Sequence, residues 1–140
     1  MQFFRAASRL ADVNRAAEEA LAAAGLGERA ASLASALSHG EQRQLEIAMT
    51  LATQPKLLLL DEPLAGMGAE ESASMVALLK KLVETHAILL VEHDMDAVFA
   101  LADRLTVMVN GQVLASGAPA EIRANAQVQE AYLGEAAENV

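Results

Sequence analysis

Two short, wholly apolar runs separated by an amphipathic stretch dominate the pattern of this chain. Leu57-Leu58-Leu59-Leu60, preceded by Pro55-Lys56 and closed by Asp61-Glu62-Pro63, reads as a strand buried on both faces of a parallel sheet. Ala87-Ile88-Leu89-Leu90-Val91 reads the same way and ends in Glu92-His93-Asp94. Between them, Met75, Val76, Leu78, Leu79, Leu82 and Val83 fall at spacings of three and four, predicting a helix from about Ala69 to Glu84 after the loop Leu64-Ala65-Gly66-Met67-Gly68. Strand, helix and strand form a βαβ unit, so the strands are expected to be parallel and the crossover right-handed.

Before this unit, Ser8 to Ala24 has helical spacing, with Leu10, Val13, Ala17, Leu21 and Ala24 on one face and Gly25 as its stop. Ala30 to Ala36 carries too little pattern to choose between a short helix and a loop. Ser38 and Glu41 then have capping-box spacing ahead of Leu45, Ile47, Ala48, Met49, Leu51 and Ala52, which predicts a second helix. After the second strand, Asp94 is placed to cap a helix from Met95 to Ala102. Leu105 to Val109, Asn110-Gly111 and Gln112 to Ser116 predict a hairpin with a type I′ turn. Gly117 and Pro119 introduce a short helix through Arg123, Val128 to Leu133 suggests another, and the tail from Glu135 is polar and expected to fray. There is no internal repeat and no linker of domain-separating character.

Composition narrows the function. At 140 residues the chain is long enough for one domain with a core; 54% of residues are apolar and only 3% aromatic, so the core is aliphatic. A net charge of −9 and the absence of Trp argue against nucleic acid as a ligand. There is no cysteine, hence no disulfide framework and no thiolate metal site. No apolar stretch approaches the length of a membrane span, and the N-terminus has no signal-peptide core, so a cytoplasmic location is expected.

The candidate chemistry lies where the strands end. In open α/β sheets ligands bind beyond the carboxyl ends of the strands, which puts Asp61 and Glu62 beside His93 and Asp94. An isolated Asp-Glu pair more often marks the chain returning to water, and a lone histidine is more often structural; together at one edge they become candidates, since imidazole can donate to a phosphate or shuttle a proton. Asp94 is also explained as a cap, Glu92 as a residue facing water, and His39 and His86 as surface residues. The Ser38-His39-Gly40 turn has two readings. As a capping box it needs no ligand, whereas the free amides and dipole of a helix N-terminus also suit a phosphate.

Taken in order, Leu37-Ser38-His39-Gly40-Glu41-Gln42, Leu57 to Pro63, Leu64 to Gly68 and Val91-Glu92-His93-Asp94 resemble the C-terminal part of the ATP-binding subunit of ABC transporters. Gln42 to Ala48, the Ala65-Gly66 loop, Glu92-His93-Asp94-Met95 and Ala131-Tyr132-Leu133-Gly134 look most like its branched-chain amino acid and urea import subfamily. The resemblance implies an α/β fold, part of a P-loop NTPase domain, with residues 1–53 forming a helical subdomain and signature helix and residues 54–140 the C-terminal part of the catalytic core. It implies that Ser38, His39, Gly40, Glu41 and Gln42 contact the γ-phosphate of ATP held by an opposite subunit. It further implies that Asp61 holds Mg²⁺, that Glu62 is the catalytic base, that His93 reads the γ-phosphate, and that Ala65 to Gly68 connects the two subunits. The implied partners are a second ATP-binding subunit and transmembrane permease subunits at the inner face of the membrane.

Three departures qualify that pattern. The commoner signature has glycine at His39 and glutamine at Glu41, and the family usually has Asp or Asn at Gly68. Above all, no G-x-x-x-x-G-K-[ST] and no Gly-Lys dipeptide occurs. The expectation is therefore a fragment, the second half of an ATPase domain beginning inside the helical subdomain, inactive alone and prone to self-association or poor solubility unless the first helix covers the exposed sheet. A non-catalytic module presenting its signature face to another ATPase subunit is the alternative. A metal hydrolase using Asp61, Glu62, His93 and Asp94 is a more distant one, because one histidine with carboxylates is a thin ligand set.

Overall fold

The computed structural model describes residues 11–131, and these divide into two compact units, one running through His93 and the other beginning at Asp94. In the first unit the leucine run forms β1 (Leu57–Asp61) and the second apolar run forms β2 (Ala87–Val91), paired in parallel with Leu59 opposite Leu89 and Asp61 opposite Val91. Between them lies α3 (Ala69–Leu82), whose Met75, Leu78, Leu79 and Leu82 are buried as their spacing requires, while Val83 is exposed. The expected βαβ unit is therefore present.

One expectation about it is corrected. The strands are buried on one face only: Leu58 is fully enclosed, but Leu57, Leu59, Leu89 and Val91 are each more than half exposed. A run of leucines cannot distinguish a strand covered on both faces from one covered on one face. Side chains alternate across a strand, so burial depends on which layers lie above and below the sheet.

Ahead of β1, α1 (Ala11–Ala23) ends as the sequence suggests. Gly25 adopts φ +81°, the Gly25 amide donates to Ala22 O at 3.1 Å and the Leu26 amide to Leu21 O at 2.7 Å, a Schellman closure that buries Leu26. The predicted face is met only at its C-terminal end. Ala24 is buried and Leu21 partly so as expected, but Val13 and Ala17 are exposed, Ala20 outside that face is buried, and Leu10 lies outside the described residues. In a helix this rich in alanine, apolar area varies too little around the circumference to set the rotation. Two short 3₁₀ turns, Gly27–Arg29 and Ala34–Ala36, lead to α2 (His39–Leu51), which buries Ile47, Ala48 and Leu51 and leaves Met49 exposed.

The second unit opens with α4 (Met95–Leu101), capped by Asp94, whose carboxylate accepts from the Ala97 amide at 3.0 Å. β3 (Leu105–Val109) and β4 (Gln112–Gly117) pair antiparallel across Asn110 (φ +49°) and Gly111 (φ +75°), the two left-handed residues of a type I′ turn. A bulge at Val107/Met108 interrupts the ladder. Next come α5 (Pro119–Ala124), with Pro119 in its first turn, and helical residues 126–131; Tyr132, Leu133 and the polar tail lie outside the described residues. Leu105, Ile122 and Val128 form this unit's core, with Val98, Phe99 and Leu114 against it, and the Arg123 guanidinium lies 4.4 Å from the centre of the Phe99 ring.

Candidate functional site

Both apolar strands deliver their polar ends to the same edge of the parallel pair. The Glu62 amide continues the ladder by donating to Val91 O at 2.8 Å, so the chain leaves β1 still attached to the end of β2. Glu62 itself has φ +45°, a left-handed conformation that costs a non-glycine residue about 1 kcal/mol or more. Its carboxylate stands 3.5 Å from His93 Nδ1, with both side chains at least half exposed. The structure thus brings Glu62 and His93 together as expected; Asp61, at the end of β1, is exposed.

Glu92 corrects the expectation that it faces water. Its side chain is 1% exposed. The carboxylate accepts from the Leu64 amide at 2.9 Å and from the His93 amide at 3.1 Å, so it fastens the turn after Glu62 to the residue that carries the imidazole. Nothing in the sequence distinguishes it from a solvated strand end, because one of its two amide partners, that of Leu64, comes from a turn 28 residues earlier.

A second group of residues assembles at the N-terminus of α2. Both halves of the capping box are present: Ser38 Oγ accepts from the Glu41 amide at 3.2 Å and Glu41 Oε2 accepts from the Ser38 amide at 2.9 Å. Arg29 Nε lies 2.9 Å from Glu41 Oε1, and Gln42 Nε2 donates back to Leu37 O at 3.2 Å. His39 Nε2 donates to Ala65 O at 3.2 Å, which requires the proton on that nitrogen. This is more than a bare surface position, the role expected of His39, because it ties α2 to the loop after β1. Gly66 accommodates the contact: it has φ +74°, and a Cβ there would lie 3.3 Å from His39 Nε2.

Two further donors of this helix start, the Ser38 hydroxyl and the Gly40 amide, are taken by a residue that carries no signal in the sequence. Glu71, in the first turn of α3, places Oε1 3.1 Å from Ser38 Oγ and 3.1 Å from the Gly40 amide. The Gly40 amide, then the Ser38 hydroxyl, hold its carboxyl below the ordinary glutamate range, and the Gly68 amide at the head of α3 adds to the effect. One carboxylate thus sits at the N-termini of two helices.

The sequence matches the ABC transporter family model over residues 2–65 and the branched-chain amino acid ATP-binding cassette transporter model over residues 112–138. It is 48% identical over 114 residues to the high-affinity branched-chain amino acid transport ATP-binding protein LivG of Salmonella typhimurium, covering 80% of this chain and 45% of that protein. Against BraF of Pseudomonas aeruginosa, with the same description, identity is 45% over 113 residues, or 79% of this chain and 44% of that one. The structure superposes on the ADP conformation of MJ1267, an ATP-binding cassette of an ABC transporter, with a TM-score of 0.77 and 29% identity over 88% of this chain and 50% of that chain. The chain belongs to the ABC transporter ATP-binding family. It corresponds to the C-terminal part of such a subunit and spans less than half the length of the curated relatives it matches.

For a member of this family the nucleotide is the expected ligand, and the residues present fit only part of it. Asp61 and Glu62 offer hard carboxylate oxygens suited to Mg²⁺, yet among the described residues no three acidic or histidine side chains converge to hold a metal. Mg²⁺ commonly binds through one or two carboxylates with phosphate oxygens and water completing its shell, so this donor set suits an ion that arrives with ATP. The sequence has no Gly-Lys dipeptide to cradle the β- and γ-phosphates. Among the described residues no helix of this ABC cassette segment is long and apolar enough to cross a membrane.

Proposed function

We propose that this chain is the signature-bearing part of an ATP-binding subunit of an importer for branched-chain amino acids or a similar small polar solute. The observation that carries the reading is the pairing of Glu62 with His93 beyond the ends of two parallel strands, on a chain whose signature turn opens a capped helix. The relatives' transport role supports the choice of solute.

In this reading Asp61 supplies a carboxylate to Mg²⁺, and Glu62 accepts a hydrogen bond from the attacking water and orients it. His93, held at 3.5 Å from Glu62, donates to the γ-phosphate. Bound Mg²⁺ supplies neutralisation of charge on the transferring phosphoryl group. The left-handed backbone of Glu62 is consistent with strain being held at a working residue. Ser38 to Gln42 serve in trans, toward ATP on a second ATP-binding subunit, with permease subunits anchoring the pair at the cytoplasmic face of the membrane.

The second reading is a non-catalytic module that only presents the signature turn to a nucleotide-bound partner, and it draws on a turn that is capped and held by Glu71 within this chain. Calorimetric titration with Mg-ATP separates the two, run on the chain alone and after mixing with the N-terminal part of a relative such as LivG that lies outside the matched region, each with Glu62→Gln in parallel. The expected outcome is no binding by these residues alone, and in the mixture binding with hydrolysis that Glu62→Gln reduces at least a hundredfold. Binding in the mixture without Glu62-dependent hydrolysis would favour the interaction module. Tight binding by the chain alone would reveal a phosphate cradle formed without the P-loop.

A further inference from the structure

Resting on the assignment of Ser38 and Gly40 as phosphate contacts, we propose that Glu71 is a built-in occupant of that contact, a carboxylate that holds the signature donors until phosphate displaces it. The two donors that a γ-phosphate oxygen would use, the Ser38 hydroxyl and the Gly40 amide, converge on one atom, Glu71 Oε1, at 3.1 Å each. Gly40 is buried, and a Cβ added to it would lie 2.9 Å from the same oxygen, so the carboxylate is seated against the backbone and not merely nearby. A phosphate oxygen and Glu71 Oε1 therefore compete for one position.

The surroundings make the competition reversible. Glu71 borders a cleft of about 280 Å³ lined by Ser38, Gln44, Glu70, Ser74 and Met75 among others, which gives its side chain space to turn into. The cleft also carries Glu41 and Glu70. With Glu71 ionised, a free anion approaching Ser38 meets the carboxylates of Glu70 and Glu71, while Glu41 is paired with Arg29, and it finds no unengaged donor at Ser38 Oγ–H or Gly40 N–H, so the contact disfavours stray anions. A phosphate held in place by another subunit, with its charge partly neutralised by Mg²⁺, has the advantage needed to dislodge it. The low pKa of Glu71 agrees with a carboxylate kept charged by the donors it covers.

The test uses inorganic phosphate as the probe at neutral pH and constant ionic strength, following the Gly40 and Glu41 amide resonances of the ¹⁵N-labelled chain by NMR. Three proteins are compared: wild type, Glu71→Gln, which keeps an acceptor without the charge, and Glu71→Ala, which clears the position. The expected result is tightening in that order, at least threefold from wild type to Glu71→Gln and further in Glu71→Ala. If Glu71 were only a clasp between helices, its removal would weaken or leave unchanged the response to phosphate. Equal affinity in all three would overturn the occupant role while leaving the phosphate assignment of Ser38 and Gly40 standing. No response of Gly40 in any of them would remove that assignment, and this proposal with it. Should Glu71→Ala lose its native spectrum, Glu71→Gln alone decides.

Discussion

At Glu62 the backbone and the side chain have opposed requirements. Its φ of +45° suits glycine, yet the position carries a glutamate whose side chain is half exposed and, among the described residues, engages another exposed group, His93. Replacing it by glycine relieves the left-handed strain and removes little packing, so Glu62→Gly is expected to leave stability unchanged or raise it by up to about 1 kcal/mol while abolishing any hydrolysis. Thermal denaturation beside an ATPase assay on the reconstituted pair checks both halves; a loss of more than about 1 kcal/mol would mean that the side chain supports the turn. The place of Asp61, Glu62 and His93 was legible because an apolar run announces where a strand ends and a βαβ unit brings two such ends together. The strain was not legible, since the Glu62 amide is held by Val91, 29 positions away in the chain, and nothing local to Glu62 marks a left-handed residue. Glu92 was misread for the same reason: one of its two amide partners, that of Leu64, is distant in sequence.

Elements announced themselves in proportion to how local their causes are. The capping box of α2, the glycine stop of α1 and the Asn110-Gly111 turn each depend on residues within a few positions, and each formed as read. The rotation of α1 and the covering of β1 depend on what packs against them, and both expectations required correction. The contact between α2 and α3 is also long-range, and through Glu71 it becomes dependent on pH. The folded state holds this carboxyl below its ordinary value, so its contribution is fully present above the unfolded pKa of ~4.3 and is lost as pH falls through the lower folded pKa. Wild type is therefore expected to lose stability relative to Glu71→Gln on acidification below about pH 5, the two converging at the acid end. Denaturation midpoints across that range check it; a constant difference from neutral to acid pH would show that the charge on Glu71 is not what binds the helices.

For the whole molecule, the decisive feature is an apolar surface set against a large net charge. Leu59 and Leu89 are cross-strand partners, 68% and 60% exposed, and Leu57 and Val91 extend the same face. Such a row on a two-stranded sheet favours pairing between copies, whereas a net charge of −9 opposes it. Salt weakens only the second effect, since the screening length falls from about 30 Å at 0.01 M to about 3 Å at 1 M while the apolar attraction persists. Self-association should therefore increase with salt, the reverse of an assembly held by ion pairs. Substituting Leu59→Lys together with Leu89→Glu places opposite charges across the strand pair without altering the net charge, so it breaks the centre of the apolar row and leaves the net charge as it was. Sedimentation velocity is expected to find the double variant monomeric at every salt concentration, with Tm within a few degrees of wild type because both leucines already face solvent. Association that persists in the variant would assign the sticking surface elsewhere; association that weakens with salt in wild type would mean that charge, and not the open sheet, holds the copies together.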